Sequence, residues 1–140
     1  METLIISLLV WLGTHSDFVL PKNIAELPKI EYKTEKELRT IVYGEVKFSN
    51  TRLEGAFDKE TNTIYLTQRF NLKNLRDQLV LAHELVHFLQ AYNKKIPPCR
   101  GFAEKEALEL SYRWYISAGG KKDPEYEMLI VVSEMSCYPT

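Results

Sequence analysis

Two histidines and a glutamate stand close together in the stretch His83-Glu84-Leu-Val-His87. Between Asp77 and Lys94 these are the only side chains that could carry a charge near neutral pH, and most of their neighbours are apolar. Burying an unpaired polar group costs roughly 2 to 7 kcal/mol, so a helix that buries these three needs a compensating partner. Histidines four residues apart project from one helix face and can reach one ion. The spacing therefore predicts a site for one zinc ion.

The glutamate at position 84 suggests that the expected zinc site is catalytic. Glu84 directly follows the first histidine, so its side chain lies beside the face that carries His83 and His87. From there a carboxylate can contact metal-activated water without binding the metal, as a general base must. The alternative is a chance match on a helix that only packs. The strongly helical setting, with only one further histidine in the chain, favours the metal site.

A catalytic zinc site uses three protein ligands and leaves one position open, so a third ligand is needed. The metzincin pattern does not supply it, because Gln90 and Asn93 stand where that motif has glycine and histidine. The remaining candidates are Glu104, Glu106, Glu109, Cys99 and His15.

Helical geometry separates these candidates. On the helix predicted to follow, Glu104 lies directly beside the apolar stripe, whereas Glu106 lies on a face suited to surface ion pairs. We therefore expect His83, His87 and Glu104 to bind the metal. Glu106 and Cys99 stay open as alternatives for the third position, and a solvated glutamate favoured by the helix dipole is the other interpretation of position 104.

Composition limits the partners of such a site. The chain has 140 residues, enough for one domain with a buried core. Its 18 basic and 19 acidic residues give a net charge of -1, so it carries no electrostatic footprint for nucleic acid or an anionic membrane. A neutral peptide or small substrate fits better. Oligomeric state is left open.

The pattern predicts a single α+β domain over 1–140 with two helices holding the site. Residues 27–32 predict a short strand, and Thr34 with Glu37 predicts a capped helix over 35–43. Around the site we expect an N-terminal helix over 1–13, a small antiparallel sheet over 46–68, the His83 helix over 72–93, the Glu104 helix over 102–118 and a C-terminal helix over 124–136.

Local signals refine these elements. Asn71 or Asn74 is expected to cap the His83 helix, and Asp123 with Pro124 is expected to start the last helix. The sheet is expected to contain strands near 46–48, 53–57 and 63–67. Its edge could hold an extended peptide, or the sheet could merely cover the helix. The expected core stripe of the His83 helix is Leu72, Leu75, Leu79, Ala82, Val86 and Leu89.

The first thirteen residues contain an apolar run that resembles the core of a signal peptide. The run lacks a basic start, carries Glu2 instead, and is too short to span a bilayer. A packed helix is the preferred prediction, with an export signal or anchor as the alternative. No stable membrane span is expected, and the compartment stays open between cytoplasmic and exported.

The two cysteines, Cys99 and Cys137, both lie in stretches that contain proline. A disulfide between them requires Cα atoms within about 7 Å and would favour export. Two free thiols are the alternative, because connectivity does not follow from sequence.

The motif together with a later glutamate resembles the gluzincin zinc metallopeptidases. In several of their branches the ligand helix has the pattern E-x-x-A, which Glu104 and Ala107 match, and that resemblance implies Glu104 as a ligand. The stretch from Leu79 to Trp114 also resembles a group of small, uncharacterised bacterial H-E-x-x-H proteins. Leu108 departs from the family, because many gluzincins have aspartate or asparagine there. The resemblance implies a zincin-like fold.

Two functions are consistent with this sequence. The first is a zinc metallopeptidase-like hydrolase that cleaves peptide bonds with metal-activated water and Glu84 as general base. The alternative is a zinc-stabilised binding or regulatory module with latent or no protease activity, in which Cys99 or His15 would complete the zinc ligands. No oxyanion-stabilising residue is assigned, although candidates exist at Tyr65, Tyr92, Tyr112 and Arg113.

Overall fold

The structure is a computed structural model that describes residues 1–43 and 54–139. In this part of the chain the fold is α+β, as expected, with five α-helices and a three-stranded mixed sheet. The helices are α1 (Glu2–Thr14), α2 (Glu35–Tyr43), α3 (Leu75–Tyr92), α4 (Arg100–Ser117) and α5 (Pro124–Met135). The strands are β1 (Lys29–Lys33), β2 (Gly55–Asp58) and β3 (Thr63–Thr67), and a short 3₁₀ helix (Ile24–Glu26) precedes β1.

The sheet has the order β1-β3-β2, with β3 in the middle. Strands β2 and β3 form an antiparallel hairpin, as expected from their sequences. The expectation of a purely antiparallel sheet is wrong, because β1 pairs with β3 in parallel. Parallel pairing needs a crossover, and here α2 lies in the connection that follows β1. The strand expected over 46–48 lies outside the described residues.

Side-chain caps fix where the helices begin. Asn74 caps α3 by accepting a hydrogen bond from the backbone N–H of Asp77 at 3.0 Å, so this helix begins at Leu75 rather than at position 72. The expected capping box of α2 is present between Thr34 and Glu37, with both hydrogen bonds at 3.1 Å. The Asp123 cap of α5 is also present.

Helix α3 is the packing centre of the fold, in contact with α4, α1, β2 and β3. Most of its expected apolar stripe is buried, including Leu79, Ala82, Val86 and Leu89. Leu75 is only partly buried, and Leu72 is 42% exposed because it precedes the helix. Packing on several sides thus holds α3 rigidly, which is what a precise arrangement of its histidines requires.

The N-terminal helix packs on this core. Ile5, Leu8, Leu9 and Leu12 of α1 are buried, which accounts for the apolar run near the start of the sequence. Among the described residues no helix is both long enough and apolar enough to cross a membrane.

A disulfide joins Cys99 to Cys137, with their Cα atoms 6.0 Å apart. Cys99 is the N-cap residue of α4, so the bond ties the chain after α5 to the start of α4. Close packing accompanies the bond, because a Cβ at Gly101 would collide with the carbonyl oxygen of Ser133. The disulfide therefore anchors the turn of α4 that precedes Glu104.

Reducing this disulfide is expected to lower the free energy of unfolding. The cysteines are 38 residues apart, and the chain-entropy relation for a loop of that length gives about 4 kcal/mol. Urea unfolding of the oxidised protein, the reduced protein and the Cys99→Ser/Cys137→Ser double variant measures the effect. Reductant should not change the double variant, and equal unfolding midpoints for all three forms would contradict the prediction.

Candidate metal centre

The two histidines of α3 face each other at one point in space. His83 and His87 are one helical turn apart, and their Nε2 atoms lie 3.2 Å from each other. Both side chains are largely buried, with 14% and 17% of their surface exposed. The helical pattern therefore brings these two residues together as the sequence predicted.

The neighbouring helix adds a carboxylate to this point. Glu104 lies in the second turn of α4, and its two oxygens lie 3.3 Å from Nε2 of His83 and 2.8 Å from Nε2 of His87. The three side chains come from two helices that pack closely along each other. Position 104 thus lies where the sequence placed a third ligand.

Glu84 lies beside this cluster and is only 7% exposed. The ligand atoms of His83, Glu84 and His87 all lie within 4.8 Å of one another, and this group could hold a metal ion. Strand β2 passes close to Glu84 because position 55 is glycine. A Cβ at Gly55 would lie 3.3 Å from Cγ of Glu84 and 2.9 Å from Cγ1 of Val80.

The atoms around the central point can be compared with the ligands of a metal ion such as zinc. Ligand atoms about 2.0–2.1 Å from a tetrahedral zinc ion are roughly 3.3 Å apart. Here the two Nε2 atoms are 3.2 Å apart, and the two Glu104 oxygens lie 3.3 Å from His83 and 2.8 Å from His87. Imidazole nitrogens and a carboxylate oxygen are donors that zinc accepts. Two neutral imidazoles with facing Nε2 lone pairs would repel each other. The arrangement therefore requires a proton or a cation between them.

Protonation of His87 is one way to meet this requirement. Burial opposes the charged form of His87, but its hydrogen bond to Glu104 and the nearby Glu84 charge prevail and raise its pKa to about 9. Burial also opposes the charged form of Glu104, yet hydrogen bonds from His83 and His87 hold the pKa of that carboxyl well below its usual range. A metal ion must displace the proton on His87, so binding should strengthen as pH rises towards 9.

The general-base candidate has a different environment. Burial raises the pKa of Glu84, while the two neighbouring histidines act in the opposite direction and Glu104 adds to the rise. A raised pKa makes the carboxylate a stronger base. Glu84 therefore combines low exposure with increased proton affinity.

A glutamine that the sequence interpretation did not assign supports one histidine. Gln90 is 1% exposed, and its side-chain oxygen lies 2.9 Å from Nδ1 of His87. Gln90 thus gives His87 a side-chain hydrogen-bond partner, which Leu108 cannot do. The signal in the sequence was a glutamine three residues after His87 in an otherwise apolar stretch. By contrast, the buried Nδ1 of His83 has no hydrogen-bond partner among the described residues.

The other candidates for the third ligand lie in other contacts. The Glu106 carboxylate accepts a hydrogen bond from Gln90 at 2.8 Å, and Cys99 is in the disulfide. Glu109 pairs with Lys105 at 3.6 Å. His15 is exposed and stacks on Trp11, with ring centroids 3.8 Å apart.

The site opens into a cleft of about 970 Å³. Its walls come from α2, β2, β3, α3, α4 and α5 together with the segment that contains Pro97 and Pro98. The site residues His83, Glu84, His87 and Glu104 all line this cleft. A ligand of peptide size could therefore reach the cluster from solvent.

The structure separates the residues considered for oxyanion stabilisation. Tyr65 lines the cleft, whereas Tyr92, Tyr112 and Arg113 are not among its lining residues. The Tyr112 hydroxyl donates to Glu127 at 2.7 Å, and that of Tyr92 donates to Glu26 at 3.1 Å.

Tyr126 of α5 also lines the cleft, although sequence gave no reason to select it. Burial raises its pKa to about 12, so its hydroxyl stays protonated. The hydroxyl of Ser111 donates to the carbonyl of Ala107 at 2.6 Å, so Tyr126 donates its own hydrogen to Ser111 at 3.1 Å. Its donor is thus already used within the fold.

Comparison with known proteins places these residues in a family. A family model described as "Domain of unknown function (DUF6647)" matches residues 1–140. No curated protein and no solved structure matches the chain. The matched range includes both helices that carry the candidate metal centre.

Proposed function

We propose that this chain, which belongs to the DUF6647 family, is a zincin-like zinc metallopeptidase. In this proposal His83, His87 and Glu104 hold one zinc ion, and Glu84 is the general base. The observation that carries it is the convergence of three side chains at an open cleft, with contacts of 2.8–3.3 Å between their nitrogen and carboxylate oxygen atoms, beside the second carboxylate of the site, the buried Glu84.

The chemistry divides between the metal and Glu84. Zinc, when bound, polarises the substrate carbonyl and lowers the pKa of water towards ~7. Glu84 takes the proton from the attacking water and passes it to the leaving amine. Its low exposure keeps bulk water from competing for that proton. His83, His87 and Glu104 would hold the zinc ion in place, because two packed helices fix these side chains.

Strand β2 supports a peptide as the substrate. The backbone N–H of Thr67 donates to the carbonyl of Glu54, and the register then directs the backbone groups of Ala56 and Asp58 towards β3. The N–H and C=O groups of Gly55 and Phe57 therefore point to the other edge of β2. That strand lines the cleft, so an extended substrate could pair with these groups beside Glu84.

Two observations favour this proposal over a zinc-stabilised binding module. A structural zinc site would have a fourth protein ligand. Cys99 is held in the disulfide, and His15 bonds to the backbone carbonyl of Trp11 at 2.8 Å. Neither residue lines the cleft. With Glu84 as the base, the described residues would offer three protein ligands and leave room for water.

Metal analysis and an unbiased peptide library test the proposal together. We expect about one zinc ion per chain by elemental analysis, and cleavage products by mass spectrometry. A chelator should stop cleavage, and added zinc should restore it. If the protein binds one zinc ion per chain and cleaves no peptide, the peptidase proposal is wrong and the binding module takes its place.

A further inference from the structure

A single buried amide connects the two helices that carry the proposed zinc ligands. Gln90 of α3 contacts His87 through Oε1 at 2.9 Å. Its Nε2 donates to the carbonyl oxygen of Ala103 at 3.0 Å and to the Glu106 carboxylate at 2.8 Å. Ala103 and Glu106 both belong to α4. The amide thus uses its acceptor on one helix and its two donors on the other.

The partners of Gln90 determine which way its amide faces. A carbonyl oxygen and a carboxylate oxygen both accept hydrogen bonds, so the group between Ala103 and Glu106 must be the NH₂ group. The reversed amide would place oxygen against two oxygens. The oxygen of Gln90 therefore faces His87, whose Nδ1 must carry a hydrogen to donate to it.

This hydrogen bond selects the form of His87 that can bind a metal. With a hydrogen on Nδ1, a neutral imidazole has its lone pair on Nε2, the atom that faces Glu104 and His83. The same glutamine holds the carbonyl of Ala103, the residue next to Glu104. One side chain thus orients a ligand on α3 and anchors the turn that precedes a ligand on α4.

We propose that Gln90 is a positioning residue that fixes the Nε2-binding form of His87 and the register of Glu104, with Glu106 orienting its amide. This inference rests on the proposed zinc site. It assigns to Gln90 a contact that Leu108 cannot make, and it gives Glu106 a supporting function instead of metal binding. It also makes the two histidines unequal, since Nδ1 of His83 lacks such a partner among the described residues.

The first test observes the imidazoles directly in the wild-type protein. Long-range ¹H–¹⁵N NMR of the zinc-loaded protein should show both histidines bound through Nε2. The Nδ1 hydrogen of His87 should exchange with water more slowly than that of His83, which is the internal control. A His87 Nδ1 hydrogen that exchanges as fast as that of His83 would overturn the inference without any variant having to fold.

The second test measures zinc affinity by chelator competition. Gln90→Met keeps the length and packing of the side chain but removes its hydrogen bonds, and we expect zinc affinity to fall about 10- to 100-fold. The zinc affinity of Gln90→Glu should fall similarly, because the carboxylate at position 90 would face that of Glu106. Adding Glu106→Gln to that variant should recover part of the affinity, since an amide then faces the new carboxylate while the Ala103 carbonyl still lacks its donor. Glu109→Gln is the control, because Glu109 is exposed on α4 outside the cleft lining, and it should stay near wild type.

These measurements separate the inference from the proposed function. If wild type binds zinc and Gln90→Met binds it within about 3-fold as tightly, well short of the ~10-fold loss expected, the inference is wrong while the zinc site stands. If Gln90→Met weakens zinc binding but wild type cleaves no peptide, the inference stands and the peptidase proposal fails.

Discussion

Replacing Glu84 with glutamine is expected to reduce kcat/KM for peptide cleavage by at least about 10²- to 10⁴-fold while zinc stays bound. Glutamine has nearly the same shape but cannot accept and return a proton at neutral pH. In the proposal the zinc ligands are His83, His87 and Glu104, which this change leaves intact. Removing a buried ionisable group also removes a desolvation cost, so the variant should fold.

The measurement pairs zinc content with steady-state kinetics on the best library peptide. Glu109→Gln is the matched control, because Glu109 is exposed on α4 and lies outside the cleft lining. It should behave as wild type in both assays. If Glu84→Gln loses its zinc, Glu84 is a ligand instead of a base, which the proximity of His83, Glu84 and His87 would then explain.

Sequence could predict the parts of this centre that depend on local geometry. The four-residue spacing alone places His83 and His87 on one helix face. The position of Glu104 followed from its place beside an apolar stripe on the next helix. The caps at Asn74 and Asp123 followed from side chains that bond to nearby backbone groups. In each case the interaction spans a few residues or a single helix face.

The features that sequence could not predict depend on contacts between distant segments. The parallel pairing of β1 with β3 joins residues separated by all of α2 and β2, so alternation of residue types does not reveal it. Gln90 looks like an ordinary polar residue because its partners Ala103 and Glu106 lie on another helix. Tyr126 reaches the cleft only through the packing of α5 on α4.

Replacing Glu104 with alanine is expected to remove zinc binding, with an affinity loss greater than the ~100-fold upper range for a supporting residue. The change deletes one of three proposed ligands without adding another donor. It also removes the charge that favours the protonated form of His87. In the metal-free variant the pKa of His87 should therefore fall below about 9. Burial lowers this pKa, and the Glu104 carboxylate that counteracts the effect is then missing.

Zinc titration and an NMR pH titration of His87 measure these two effects separately. Glu109→Ala is the control, since it removes a glutamate from the same helix away from the cluster and should change neither quantity. A lower pKa of His87 with unchanged zinc affinity would confirm the contact but remove Glu104 from the ligand set. Glu106→Ala then becomes decisive. If that variant alone loses zinc, Glu106 is the third ligand, and its carboxylate must leave its hydrogen bond with Gln90 to reach the histidines.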